Sequence, residues 1–475
     1  MSETPSTATG TTRQQRLVLA IAILASFASF LDGTLVNVAL PAIADDLGGG
    51  LTVQQWVVDA YLITLGSLIL VAGSVSDVLG RLTVLRIGLV GFGVTSVMIA
   101  AAPTPEFLAV SRALQGVAGA LLVPSSLALI TSNFRDAAQA KAIGAWTAWT
   151  SAAILGGPVV GGLFIDYLSW RWAFLINVLP VALTLLLMAR LTQRDERRAG
   201  VSIDYAGAVL ATLGLAGTVF ALIEQGNLGW AHPAIWLPFT LGVLLFAGFL
   251  VRQRRAAEPL MPLNLFTVRN FGWGNLATFF IYAALSLSGF VITVFLQQTA
   301  GYGATAAGLV MIPSTIIMIV LSSYFGKLSG RYGPRIFMTF GPLLAAAGFA
   351  LMLGAGERVD YWTQLLPGVL AFGLGLTATV APLTSAILGA IETERSGIAS
   401  AVNNAVARVA GLIAIAFLGV IVGERLDVEG FQRGLWTAIA LMVIGGVVSW
   451  LGIRTPRAPD DAVPSGEQAR AAEGQ

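Results

Sequence analysis

Asp32, Asp59 and Arg112 stand inside stretches otherwise apolar enough to cross a bilayer. A charge at bilayer depth is costly and marks a functional site by default. Counted from Leu17 by helical rise, Asp32 lies ~22 Å from one edge of a ~30 Å hydrocarbon core, so ~8 Å from the other. Asp59 lies roughly 9 Å below that second edge, counted from Val53, and Arg112 about 10 Å, counted from Glu106. Two acids and one base on three helices therefore share one depth, where they could form a buried network. One reading is a structural ion cluster that fixes helix packing. The other is a proton site. Burial disfavours a charged carboxylate and a neighbouring guanidinium favours it, so an acid held between the two influences can take and release protons.

Arg408 is a fourth such charge, roughly 17 Å from the basic end of its span. No acid lies deep in the spans around it. Its partner must come from the first half of the chain, from carbonyls, water or substrate, and structural and functional roles both stay open. A different pattern runs through 153–162. Ala153, Gly157 and Gly161 recur every four residues on one helix face, beside Gly156, Pro158 and Gly162. Such a stripe lets helices approach closely, and Pro158 removes a backbone bond and can bend the helix. Packing alone is the plainer reading of the stripe. The sequence predicts that Gly157 and Gly161 pack against a helix of the opposite half.

These residues need elements to hold them. Of 475 residues 56% are hydrophobic and 11% charged, against about 25% charged in soluble proteins. So little charge cannot cover a water-facing surface, and the remaining solvent is lipid. The net charge of +2 gives no global field for nucleic acid. The absence of cysteine excludes disulfides, thiolate sites and cysteine nucleophiles. The single histidine, His232, excludes multi-histidine metal sites. Apolar runs at 17–43, 53–75, 82–101, 105–131, 140–165, 171–189, 205–223, 234–251, 271–297, 304–325, 335–354, 362–388, 397–421 and 433–453 predict fourteen spans. With that count, 21 of the 27 basic residues fall in one set of connections and four in the other. The positive-inside rule makes the first set, and both termini, cytoplasmic. Gly73, Asp77, Gly80 and Arg81 after span 2 are echoed by Gly326, Gly330, Arg331, Gly333 and Arg335 after span 10. The echo predicts two six-span halves, spans 1–6 and 9–14, with spans 7 and 8 inserted.

Together these segments resemble the fourteen-span drug/proton antiporter branch of the major facilitator superfamily, over nearly the whole chain. The stretch Leu31, Asp32, Asn37, Ala39, Leu40 and Pro41 is similar to that branch's first-span signature. Gly73, Asp77, Gly80 and Arg81 match the superfamily's loop motif. Arg112, Gln115, Gly116, Gly119 and Pro124 match its span 4 motif, which the resemblance ties to proton transfer. Gly156, Gly157, Pro158, Gly161 and Gly162 match the antiporter motif of span 5. Asp204, Gly207, Glu224, Gly226 and Trp230 resemble the inserted pair, and Asn404, Arg408 and Gly411 the span 13 pattern. Val78 and Leu82 stand where the loop motif has basic residues, and Gly330 where its second copy has an acid. Extra acids in second-half spans, found in relatives that expel multivalent cations, are absent.

The resemblance implies an all-α polytopic membrane protein of the major facilitator fold, two six-helix bundles plus an inserted helix pair. The expected domains are a cytoplasmic segment 1–15, bundles over 16–190 and 256–454, a linker with spans 7 and 8 over 191–255, and a disordered tail 455–475. The expected function is proton-coupled export of small amphipathic organic compounds across a bacterial cytoplasmic membrane. The expected protein is a monomer with lipid, protons and substrate as partners, no nucleic acid, no cofactor or metal, and the proton gradient as energy source. Asp32 is expected to carry the proton, Arg112 to tune it and Asp59 to assist. Gln115, Asn404 and Arg408 are candidates for substrate or coupling. Candidate aromatic lining residues are Phe27, Phe30, Trp56, Tyr61, Trp149, Phe279 and Tyr282. Alternatives are proton-coupled uptake, against which the span 5 motif argues, a membrane enzyme, for which no connection is long enough, and a non-transporting sensor or scaffold.

Overall fold

The computed structural model describes residues 12–192, 195, 203–392, 395–423 and 426–455. The segment 1–11, most of 193–202 in the linker and the tail beyond Thr455 lie outside the described residues, so the expectations for them stay there. Fourteen helices are long and apolar enough to cross a membrane, as expected from the sequence. They are spans 1 (Arg13–Leu47), 2 (Gly50–Leu79), 3 (Arg81–Ala100), 4 (Pro105–Asn133), 5 (Lys141–Tyr167), 6 (Trp170–Met188), 7 (Tyr205–Leu228), 8 (Pro233–Arg255), 9 (Arg269–Gln298), 10 (Ala304–Tyr332), 11 (Pro334–Met352), 12 (Tyr361–Leu388), 13 (Ser396–Ala416) and 14 (Val428–Gly452).

Local chemistry sets several of the ends. Thr12 and Gln15 form a reciprocal capping box at span 1. Thr104 caps span 4, with Pro105 in the first turn. Asp427 accepts from Gly430 N at 2.7 Å and caps span 14. The turns after spans 2 and 10 share one device: Gly80 and Gly333 have φ of 96° and 83°, a region that favours glycine. Here the echo between the two loops has its physical content. Spans 6 and 10 are broken where the sequence predicts continuous helices, and the predicted run 397–421 is interrupted once, at Phe417. Span 6 splits into Trp170–Leu175 and Val178–Met188, and span 10 into Ala304–Leu309 and Ile312–Tyr332. Pro180 and Pro313 lie just beyond the breaks and withdraw the backbone donor that would continue each helix.

Spans 1–6 pack with one another, as do spans 9–14, and span 2 lies along span 13 between the two bundles. Both inserted spans are expected at the periphery, and for span 8 that is correct, since it leans mainly on span 7. Span 7 instead contacts both span 2 and span 13. Its Leu215, Val219, Leu222 and Ile223 share a buried cluster with Ile63, Leu412 and Ala416.

The bundles meet firmly at the end away from most of the basic residues. There the first turn of span 10 lies against span 5, and span 9 against span 1. Toward the basic face they part. Span 10 beyond its break buries only Ser314 and Ser329, and nothing stands within 4 Å of where a Cβ would sit on Gly144 or Gly156 of span 5. Gly33 and Gly289 are equally open. They stand at equal distances from the starts of spans 1 and 9, one in each bundle. The two bundles thus pack less closely toward the basic face than at the opposite end.

Candidate functional site: a buried charge network and a sealed gate

Asp32 and Arg112 meet, as their shared depth suggests. Arg112 Nη1 donates to Asp32 Oδ2 at 2.8 Å, with both side chains buried. Arg112 Nε donates to the carbonyl of Val57 on span 2 at 2.8 Å. One turn along span 4, Gln115 accepts from Arg112 and donates to Asp32 Oδ1 at 3.2 Å and to Ser96 Oγ on span 3 at 3.0 Å. Asn177 donates to Asp32 Oδ1 at 2.9 Å. The break in span 6 places Asn177 there. Tyr61 of span 2 lies under the guanidinium, 4.3 Å from ring centroid to charge, and Phe174 is 5.8 Å away. Five spans thus converge on one ion pair.

Ion pairs of this kind are expensive to assemble and more expensive to break. Removing one partner of a buried pair costs about 3–5 kcal/mol, because the other charge is left uncompensated. Here two side chains, Gln115 and Asn177, and the Val57 carbonyl satisfy the pair, as a low-dielectric site requires. Ser96 and Asn177 escaped the sequence reading because polar residues in apolar runs are common; the signal available for Asn177 was Pro180 three residues on.

Asp59 corrects the expectation of a three-charge network. It is fully buried, yet neither of its carboxylate oxygens has a hydrogen-bond partner among the described residues. Depth alone placed it beside Asp32, but its direction around span 2 does not bring it there. Asn404 is exposed, and among the described residues its hydrogen bond goes to Ser400 O of its own helix, apart from Gln115. Arg408 is half-buried on span 13 and makes no ion pair or hydrogen bond among the described residues. Its Cβ packs where Gly66 of span 2 leaves room, 3.3 Å from the position a glycine Cβ would take.

The loop motif is built as a helix start. Asp77 and Arg81 approach at 3.8 Å, and Arg81 donates to Ala128 O at 3.2 Å. Asp195, which the sequence did not single out, receives Leu82 N at 3.0 Å and Thr83 N at 2.8 Å, next to Gly80. Gly73 has open space beside it.

Span 5 is divided between two partners, and this corrects the predicted contact. Gly157 and Gly161 face span 1 of their own bundle, against Thr34 and Leu31, and Val38 and Leu35. Contact with the opposite bundle comes from the neighbouring face. Gly162 abuts the backbone of Thr305, and the Pro158 carbonyl lies 2.6 Å from where a Cβ on Gly308 would stand. Asp166 then receives Ala304 N and Thr305 N, each at 2.9 Å, at the start of span 10. Nearby, Gln297 of span 9 donates to Val38 O at 3.2 Å. These contacts close the two bundles against each other at that end.

The candidate lining aromatics scatter. Tyr61 belongs to the buried network, and Phe30 packs edge-on to Trp146. Trp56 donates to Glu224 of span 7 at 2.8 Å. Trp149 is 56% exposed. Phe279 lies in a side cleft with Phe266, Trp273 and Val406.

Comparison with known proteins agrees with this architecture. The chain is 33% identical to the puromycin resistance protein of Streptomyces alboniger, over 95% of this chain and 94% of that protein. It is 32% identical to a methylenomycin A resistance protein of Streptomyces coelicolor, with 90% of each covered. It is 33% identical to a multidrug efflux pump of Mycolicibacterium smegmatis, over 94% and 89%. Among solved structures, a POT family transporter in complex with 5-aminolevulinic acid superposes with a TM-score of 0.69 over 91% of this chain and 95% of that one, at 14% identity. That likeness speaks for the fold alone. The Major Facilitator Superfamily profile matches residues 22–296 and 274–473. With its two bundles and matches running the length of the sequence, the chain belongs to the major facilitator superfamily.

Proposed function

We propose that this protein exports small amphipathic organic compounds across the cytoplasmic membrane of a bacterium, in exchange for protons. The observation that carries the reading is full-length similarity to resistance proteins and an efflux pump. Proton coupling is supported by the Asp32 site. Its charge holds spans 1, 4 and 6 together, so a proton arriving on Asp32 would loosen Arg112, Gln115 and Asn177 at once. Arg112 would set how readily that proton binds. Asp59 is the second acid in this reading. Its unpartnered surroundings tolerate a neutral acid far better than a bare charge. The bundles part toward the basic face, which the positive-inside rule makes cytoplasmic. Binding from inside and sealing outside is the state in which an exporter loads. One protomer contains both bundles and the whole network, so a monomer suffices.

The test is retention of a fluorescent dye by cells overproducing the protein, with and without an uncoupler. Lower retention that the uncoupler restores is the expected result. Dye levels that never differ from control cells, across compounds, would overturn export.

A further inference from the structure

We propose that Asn177 is the positioning residue that lets the buried Asp32 hold a proton. Its side-chain amide donates to the carboxylate and, turned over, accepts from the carboxylic acid. The inference rests on the proton exchange proposed above and names how the Asp32 site accommodates both of its states. Asn177 and Asp32 are both fully buried. Asn177 Nδ2 donates to Asp32 Oδ1 at 2.9 Å, while Asn177 Oδ1 has no hydrogen-bond partner among the described residues. A buried acceptor without a donor is rare and costly. Asparagine at the start of a helix ordinarily spends that oxygen on the backbone N–H of the second or third helical residue. Asn177 stands at that place before Val178–Met188 and makes no such cap. Neither donor is to be had. Leu179 N is given to Ile176 O at 3.1 Å, and Pro180 has no N–H. The broken helix therefore delivers an amide with one end on Asp32 and the other end idle.

The other two side chains on Asp32 cannot do the same. Gln115 accepts from Arg112 through Oε1 and donates through Nε2 to Asp32 Oδ1 and Ser96 Oγ, so turning it would break bonds at both ends. Arg112 carries donors alone. A proton that adds to Asp32 Oδ1 makes an O–H that points at the N–H of Asn177, donor against donor. A half-turn about the Asn177 Cβ–Cγ bond exchanges Nδ2 and Oδ1. One hydrogen bond breaks, and one from the new O–H to Asn177 Oδ1 forms in its place. Asp32 Oδ2 keeps Arg112 throughout, and the remaining lone pair of Oδ1 stays for Gln115. One amide atom is idle before the turn and the other after it, so the two states are matched. A partner able only to donate would stabilise the charged form alone.

Infrared difference spectra of the purified protein in lipid vesicles, taken between alkaline and acid pH, read both partners. A carboxylic acid whose O–H is donated shows its carbonyl stretch at lower frequency than one whose O–H is free. Wild type should show a protonated-carboxyl band that Asp32→Asn removes. Asn177→Leu keeps the bulk and loses the amide, and should move that band to higher frequency. A second readout needs no change at 177. In wild type carrying asparagine isotopically labelled in its side-chain carbonyl, one labelled band should move to lower frequency as the Asp32 band appears, because that carbonyl then accepts the O–H. Asp32→Asn should abolish the movement. A merely structural role for Asn177 would move neither band. An Asp32 band at its wild-type frequency in Asn177→Leu, or a labelled carbonyl that does not respond, overturns the inference and leaves the proton on Asp32. If no band is lost in Asp32→Asn, the inference and the proton role of Asp32 both fall, while export itself is judged by dye retention.

Discussion

Replacing Asp32 by Asn keeps the size of the side chain and removes the charge that Arg112, Gln115 and Asn177 converge on. If that charge is the coupling device, the variant should lose substrate-induced proton release from purified protein while still exchanging substrate downhill. Undiminished release would move the carrier to Asp59, whose Asn variant is the matching control. Arg112→Ala is a harsher change. It strands a buried carboxylate, and a loss of about 3–5 kcal/mol is expected, read as a lower midpoint in thermal unfolding in detergent. Arg112→Ala combined with Asp32→Asn should recover part of that loss, because no charge is then left unpaired. A double variant no more stable than Arg112→Ala would show that the pair does not carry the cost.

Elements decide which of these side chains meet, and here span 5 is instructive. Gly162→Leu should push the start of span 10 away and break the far seal. The expected result is proton leak through membranes carrying the protein, with export lost and insertion intact. A tight, active Gly162→Leu variant would refute the seal. Gly157→Leu clashes within one bundle instead, so it should lower thermal stability more than it raises leak. The spans themselves were legible because length and hydropathy alone produce them. Partners around each helix were not. The four-residue spacing of Ala153, Gly157 and Gly161 announces a close approach without saying to what, and the answer was span 1. Depth, the coordinate that rise per residue gives, put Asp59 level with Asp32. Rotation, the coordinate it does not give, kept them apart. Asn177 was hidden for a further reason, since only a broken helix delivers it to the site.

At the scale of the whole molecule the inserted pair has its own fastening. Asp204 caps span 7 through Gly207 N at 2.8 Å and receives Arg252 and Gln253 from span 8 at 2.6 and 3.0 Å. Burial opposes its charge, but these donors outweigh burial and hold its carboxyl below the usual carboxylate range. A depressed folded-state value means the stabilisation is fully present above ~4, the unfolded value, and is lost as pH falls through the folded one. Asp204→Asn keeps the cap but removes the charge that pairs with the partly exposed Arg252, and should therefore cost about 0.2–1 kcal/mol at neutral pH and nothing in strong acid. A deficit that persists below the folded value would contradict this origin. The same fold predicts that reporters fused at Gln475 and in the 99–105 turn report opposite sides of the membrane, the first cytoplasmic. Reporters on one side would sink the topology.

Span 7 also bears on how the bundles move. Its polar ties run to span 2, through Thr212 to Ser67 at 2.9 Å and Glu224 to Trp56 at 2.8 Å. Toward span 13 it presents Leu215, Val219 and Leu222 to Leu412 and Ala416, with no hydrogen bond among the described residues. It is thus bolted to one bundle and greased against the other. When the second bundle rocks, apolar side chains can slide past each other with little change in area or directional contact, while a hydrogen bond would have to break and re-form. The inserted helix works as a bearing, and a single polar bridge engineered across that face, such as Leu412→Asn opposite Leu215→Asn, would act as a brake.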